Sequence, residues 1–363
     1  MDDDRNIVKP DPLRGPERQE DLLQAADPLL EVRGLKKHFA APSGWFRGKG
    51  PAVRAVEDVS FSIDERDTMA LVGESGCGKS TTARCIVRLI EPTAGSVLFD
   101  GRDLLTLAPE AMRRARRHIQ MVYQDPYGSL NPRMTVEDLL AEPLRTHGLG
   151  DRRRIERDVL DMLDRIGLSR THRTRYPHQF SGGQRQRIGI GRALIARPRL
   201  ILADEPVSAL DVSIQSQILN LLMDLQEEMG LTMLFISHDL NVVRHVSRKV
   251  GVMYLGELVE RAPTAELYAE PLHPYTRALL DSVPACAPSR RKRRAPLEGD
   301  ALSPLERPEG CPFVNRCPQA AEHCRTDRPP LAEPRPGHFV RCHLWRTGTD
   351  PERKGFGRSR VTQ

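Results

Sequence analysis

The chain has 363 residues, 39% hydrophobic but only 5% aromatic, enough for one large domain with an appendage or for two domains around an aliphatic core. Its formal net charge of +6, from 55 basic and 49 acidic residues, suits an anionic ligand, a membrane surface or nucleic acid without choosing among them. No stretch approaches the roughly 18–20 consecutive apolar residues that a membrane-spanning helix needs.

Residues 1–28 are polar and rich in proline and acids, which predicts a disordered tail. The start, Met1-Asp2-Asp3-Asp4-Arg5, lacks the basic and apolar regions of a signal peptide, so a cytoplasmic location is expected. Val59, Phe61 and Ile63 alternate as on a half-buried strand, and Thr68 to Val72 is a short apolar run entering a glycine-rich turn. Ile155, Val159, Leu163 and Ile166 recur at helical spacing. Leu200 to Ala203 reads as a buried strand, Ile214 to Leu225 as an amphipathic helix, and Met233 to Ile236 as another buried strand. Buried strands alternating with helices predict an α/β domain with a largely parallel sheet. After Pro263 proline becomes frequent, Arg290 to Arg294 form a basic run, and four of the seven cysteines fall between Gly310 and Leu344. That predicts a separate, loop-rich extension.

Gly73-Glu74-Ser75-Gly76-Cys77-Gly78-Lys79-Ser80-Thr81 matches GxxxxGK[ST] in full, after a predicted strand and before a helix. Its glycines let the backbone come close to an anion, and successive N–H groups at a helix N-terminus form a phosphate nest. Lys79 is expected to reach the β- and γ-phosphates of ATP and Ser80 to ligate Mg²⁺. Cys77 reads as a small loop filler and Cys85 as core packing. Leu200-Ile201-Leu202-Ala203-Asp204-Glu205 is an apolar strand ending in two acids. Asp204 is expected in the Mg²⁺ shell and Glu205 beside the attacking water. His238 follows another buried strand, at the carboxyl end where parallel sheets bind ligands. An ordinary solvated strand end and a structural histidine are the plainer alternatives.

Phe180-Ser181-Gly182-Gly183-Gln184-Arg185-Gln186-Arg187 resembles the signature motif of ABC ATPases, with Phe180 for the commoner leucine. The resemblance covers residues 29–345. It implies a P-loop NTPase fold, a RecA-like core plus a helical subdomain at about 125–190, within an ATPase domain spanning 29–262. After that domain the extension is expected at 263–345 and a disordered tail at 346–363. Further matches are Gln124 in the Q-loop, Asp211 closing the D-loop Ser208-Ala209-Leu210-Asp211, and His238 as the switch histidine. Phe39 is positioned to stack on adenine. By resemblance, Gln124 senses the γ-phosphate and joins the Mg²⁺ shell. Ser181, Gly182, Gly183 and Gln184 close on ATP held by another subunit, so the working unit is a pair. One departure is Asp64-Glu65-Arg66-Asp67-Thr68, where a glycine-containing turn is usual.

The extended Q-loop, Gln124 to Pro132, and His273-Pro274-Tyr275-Thr276 resemble the oligopeptide, dipeptide and nickel importer branch. That branch implies a paralogous ATPase partner, two transmembrane permease subunits and an extracytoplasmic solute-binding protein, at the cytoplasmic face of the plasma membrane. Peptide is the expected solute, with glutathione-like peptides and nickel chelates as alternatives. A ribosomal or chromosomal ABC ATPase fits less well, because there is one phosphate loop and no long coiled coil between Lys79 and Asp204. Cys311, Cys317, Cys324 and Cys342 match neither paired zinc knuckles nor the common ferredoxin spacing. By resemblance they imply a [4Fe–4S] cluster, with structural Zn²⁺ or free thiols as the rivals. The basic runs, including Arg113 to Arg117 and Arg152 to Arg154, lack an aromatic platform, so no nucleic-acid partner is expected.

Overall fold

The computed structural model describes residues 27–40, 52–282 and 308–345. The Arg290–Arg294 run, Cys286 and the two expected tails beyond these bounds lie outside the described residues. Five strands form the heart of the sheet: β3 (Thr68–Val72), β6 (Ile119–Val122), β7 (Leu200–Asp204), β8 (Thr232–Ile236) and β9 (Lys249–Tyr254). They run parallel in the order β9-β3-β8-β7-β6. β3, β7 and β8 are buried at every residue, as expected of strands covered on both faces.

The sheet is mixed, which corrects the expectation of a largely parallel one. β1 (Leu30–Phe39), β2 (Val53–Ile63), β4 (Ala94–Phe99) and β5 (Arg102–Asp103) form an antiparallel arm. β10 (Glu257–Pro263) pairs antiparallel with β9 across a tight turn at Leu255-Gly256, where both φ are positive. Such short connections favour antiparallel neighbours, whereas the parallel strands are joined through helices.

Alternation in β2 is as read: Val59, Phe61 and Ile63 are buried while Ser60 is exposed. In the irregular turn before β3, Arg66 takes the left-handed conformation (φ 62°) that glycine adopts more easily. Its N–H donates to Thr232 Oγ1 at 2.7 Å.

Helix α1 (Lys79–Ile86) follows the glycine-rich turn, and α2 (Pro109–Arg116) precedes β6. A helical layer of α3 (Pro126–Ser129), α4 (Val136–Thr146), α5 (Arg152–Arg165) and α6 (Gly182–Leu194) intervenes between β6 and β7. Its apolar positions, including Leu139, Leu140, Val159, Leu163 and Ile188, join the larger of two hydrophobic clusters among the described residues. Helix α7 (Val212–Met229) leads to β8, α8 (Leu240–Val246) to β9, and α9 (Thr264–Ala269) and α10 (Pro274–Ser282) follow β10.

The basic run at 113–117 makes specific contacts from exposed to half-buried positions. Arg116 donates to Val87 and Arg88 carbonyls, and Arg113 pairs with Glu110. Among the described residues no helix is long and apolar enough to cross a membrane.

The cysteine-bearing segment packs on the sheet. Its hairpin, β11 (Leu331–Arg335) and β12 (His338–Arg341), extends the sheet by pairing β12 with β10. The buried Glu260 carboxylate of β10 fastens the junction. It accepts N–H bonds from Leu272 and His273 at 2.7 and 2.8 Å, and lies 2.7 Å from His338 Nε2. Arg335–Glu270 and Arg341–Asp58 ion pairs add to the seam.

Candidate functional site

The turn from β3 into α1 has the form expected of a phosphate nest. Gly73 and Gly78 have φ of 150° and 108°, and a Cβ on either would collide with backbone carbonyls, Met253 at the first and Ala55 at the second. Ser75 and Gly76 form the exposed outer turn, while Cys77 is buried and its thiol pKa is raised by burial. Lys79 is only 4% exposed, and its ammonium donates to the carbonyls of Gly73 (2.8 Å) and Glu74 (3.0 Å). A buried ammonium held by neutral carbonyls is poised to exchange them for anionic oxygens.

Beside it, Ser80 Oγ donates to Asp204 Oδ1 at 2.7 Å. Burial raises the Asp204 pKa, against the lowering effect of the Ser80 bond and of Arg84, whose guanidinium stands 4.0 Å away. A buried carboxylate hydrogen-bonded to a hydroxyl is a hard-oxygen donor pair of the kind that suits a divalent cation.

Glu205 follows with φ 47°, a left-handed conformation costing a non-glycine residue about 1–2 kcal/mol. The strained turn is held by its N–H bond to Ile236 and by Ser208, whose N–H and hydroxyl both donate to the Glu205 carbonyl. One carboxylate oxygen gathers two of the expected residues: Gln124 Nε2 donates to Oε2 at 3.0 Å, and His238 Nδ1 lies 3.4 Å from it. Three elements far apart in sequence thus converge next to the Ser80–Asp204 pair.

The residues expected to form a second anion site stand elsewhere. Ser181 caps α6, accepting from Gln184 N–H, while the Gln184 side chain accepts from Ser181 N–H. Gly182 and Gly183 open the helix, packed against Leu210 and Ile214 rather than Lys79. Asp211 precedes α7 without a side-chain capping bond. Phe39 ends β1, 38% exposed, with Lys37 Nζ 4.8 Å from its ring centroid. Thr81 lies in the first turn of α1.

Cys311, Cys317, Cys324 and Cys342 line one cavity of about 90 Å³ together with His273, His323 and His343. Burial pushes the Cys311 thiol up to about 12 and Cys342 to about 11. Among the described residues no group of three or more His, Cys, Asp or Glu side chains is gathered as a metal ion would require.

Two residues given no role from sequence reach the phosphate turn. Tyr275 Oη accepts the Glu74 N–H at 3.0 Å, and Arg316 forms a two-pronged ion pair with the Glu74 carboxylate at 2.8 and 2.9 Å. For Tyr275 the signal was the His273-Pro274-Tyr275 motif; for Arg316 there was none beyond its place between two cysteines.

A family profile described as ABC transporter matches residues 56–208, and one described as the oligopeptide/dipeptide transporter C-terminal region matches 259–324. The chain is 51% identical over 319 residues to a probable peptide ABC transporter ATP-binding protein of Sinorhizobium fredii, covering 88% of this chain and 90% of that one. It is 52% identical over 320 residues to an oligopeptide transport ATP-binding protein of Bacillus subtilis, covering 87% and 97%. Among solved structures, it is similar to a dimeric ATP-binding cassette in a post-hydrolysis state with ADP and phosphate. That match has 30% identity and a TM-score of 0.58, covering 65% of this chain and 98% of that one.

Proposed function

The chain belongs to the ATP-binding proteins of ABC transporters, in the branch bearing the oligopeptide/dipeptide C-terminal region, and we propose that its ATP hydrolysis powers peptide uptake across the cytoplasmic membrane. The observation that carries the catalytic reading is the convergence of Gln124 and His238 on the Glu205 carboxylate, beside Ser80 and Asp204.

The turn 73–81 cradles the phosphates, with Lys79 leaving the loop carbonyls for the β- and γ-oxygens. Ser80, Asp204 and Gln124 would hold Mg²⁺, which would neutralise phosphate charge when bound. The buried Asp204 carboxylate beside the Ser80 hydroxyl fits that role. Glu205 orients and deprotonates the attacking water. His238 steadies the γ-phosphate, and Phe39 stacks on the adenine. Ser181, Gly182, Gly183 and Gln184, with Asp211, complete the site of a second ATPase subunit, a paralogue of this chain. Closure is favoured only insofar as ATP binds the closed pair more tightly than the open one.

The permease subunits dock beside the Q-loop. A cleft of about 250 Å³ opens there, lined by Tyr123, Leu130, Pro143, His147, Gln186 and Arg192. Gln186 Nε2 donates to the Tyr123 carbonyl at 3.3 Å, linking the signature helix to the Q-loop. The assembly thus holds the chain at the membrane's cytoplasmic face, with an extracytoplasmic binding protein delivering the solute.

In this reading the four cysteines would hold a [4Fe–4S] cluster tying down the extension, although their thiols are not gathered around one centre here. The support for that reading is that all four cysteines line one cavity. Anaerobic purification followed by iron and sulfide analysis is expected to find both elements. A colourless protein with one zinc would overturn this assignment.

The transport reading is tested by reconstituting the chain with its permeases in lipid and assaying ATP hydrolysis with peptide-loaded binding protein. Stimulation by peptide is expected. Hydrolysis that responds to a nickel chelate or glutathione and not to other peptides would replace the substrate assignment.

A further inference from the structure

Every polar group of Glu74 that the phosphate turn offers is engaged. Its carbonyl accepts from Lys79, its N–H donates to Tyr275 Oη, and its carboxylate is clasped by Arg316. Two of those three partners come from the C-terminal region. Arg316 is 7% exposed at its side chain, and its guanidinium carbon lies 5.9 Å from the ring centroids of both Tyr254 and Phe313. Those rings pack with Tyr275 in one aromatic cluster, at centroid separations of 4.7 to 5.4 Å. The guanidinium thus sits beside this aromatic cluster while it pairs with the carboxylate. Glu74 in turn puts a negative charge on a loop that must accept a polyanion, which opposes phosphate binding unless it is neutralised.

From this arrangement we infer that Arg316 is a positioning residue for ATP binding: it neutralises Glu74 and tethers the phosphate turn to the C-terminal extension. Arg316 lies between Cys311 and Cys317 in the chain, so whatever fastens those thiols also fastens the clasp. The inference rests on residues 73–81 being the phosphate loop, and Lys79→Ala tests that premise separately.

The experiment measures the Kd of a fluorescent ATP analogue with Mg²⁺ on the assembled complex, alongside hydrogen exchange of the loop amides. Arg316→Gln is expected to weaken binding about five- to tenfold and to speed exchange at Glu74. Arg316→Lys restores only part of the loss, because an ammonium cannot form the two-pronged pair. In a Glu74→Gln background the Arg316→Gln change should cost less than twofold, since the charge it answers is gone. Arg335→Gln, which breaks the extension's bridge to Glu270, should leave Kd unchanged. Wild-type Kd and exchange in Arg316→Gln would overturn the inference. So would a full loss persisting in the Glu74→Gln background. An unchanged Kd in Lys79→Ala would instead remove the phosphate-loop premise.

Discussion

Gly183→Ala probes how closely the signature helix must approach its neighbour. A Cβ at position 183 would stand 2.5 Å from Ile214 Cγ2, about 1 Å inside ordinary carbon contact. Ile214 lies in the first turn of α7 and is half-buried. A β-branched side chain in a helix has essentially one χ1 rotamer, so it cannot swing aside and α6 must move from α7. Overpacking of this kind costs about 1–3 kcal/mol, which lowers the melting temperature of a chain this size by about 1–4 °C. Hydrolysis by the reconstituted complex should fall further than stability alone explains, because the N–H groups at the start of α6 are displaced. The double variant Gly183→Ala/Ile214→Ala removes the colliding methyl and should recover most of the loss beyond that of Ile214→Ala itself. An unaltered melting temperature in Gly183→Ala, or no recovery in the double variant, would refute the packing argument.

Glu205→Gln keeps the hydrogen-bonding shape but removes the proposed base, so hydrolysis should drop about 10²- to 10⁴-fold while ATP stays bound. Retained turnover in a single-turnover assay would take Glu205 out of the catalytic role. Acid should also loosen the extension. Burial lowers the His273 pKa to about 4, below the ordinary 6.5 of the unfolded chain, so protons bind the unfolded state first as pH falls. Its stability contribution is intact above pH 6.5 and is lost between about 6.5 and 4, by about 3 kcal/mol in all. His273→Asn retains an acceptor for the Tyr275 N–H and should flatten the stability–pH curve over that window. Parallel curves for the two proteins in urea unfolding would exclude His273 as the cause.

Much of the fold was legible because its signals are local. The apolar runs before Gly73, Glu205 and His238 became the buried β3, β7 and β8. The i, i+4 pattern of Val159 and Leu163 became the buried stripe of α5. The antiparallel arm was not legible as such, since strand direction depends on partners: β1 reads alike whether β2 and β4 run with it or against it. The convergence of Gln124, Glu205 and His238 followed from resemblance to a family, because no local rule brings positions 124 and 238 together. Arg316 was hidden for a related reason. It reaches Glu74 across 242 residues, and a lone arginine in a proline-rich stretch looks like any solvated charge. The left-handed Arg66 was foreshadowed only by the lack of a glycine in its turn.

The seam between β10 and β12 bears on how the chain is made. β10 shares its outer edge between two strands: Glu257 pairs with Asp58 of β2, while Glu260 and Arg261 pair with Val340 and Phe339 of β12. Until residues 338–341 emerge from the ribosome, half of that edge is bare and Glu260 has no histidine opposite it. An unpaired edge recruits strands from other chains, so the nascent ATPase half is vulnerable until its last hairpin arrives. The change of composition at Pro263 is therefore a poor place to cut: a chain trimmed there would keep its phosphate loop and lose the strand that finishes its sheet.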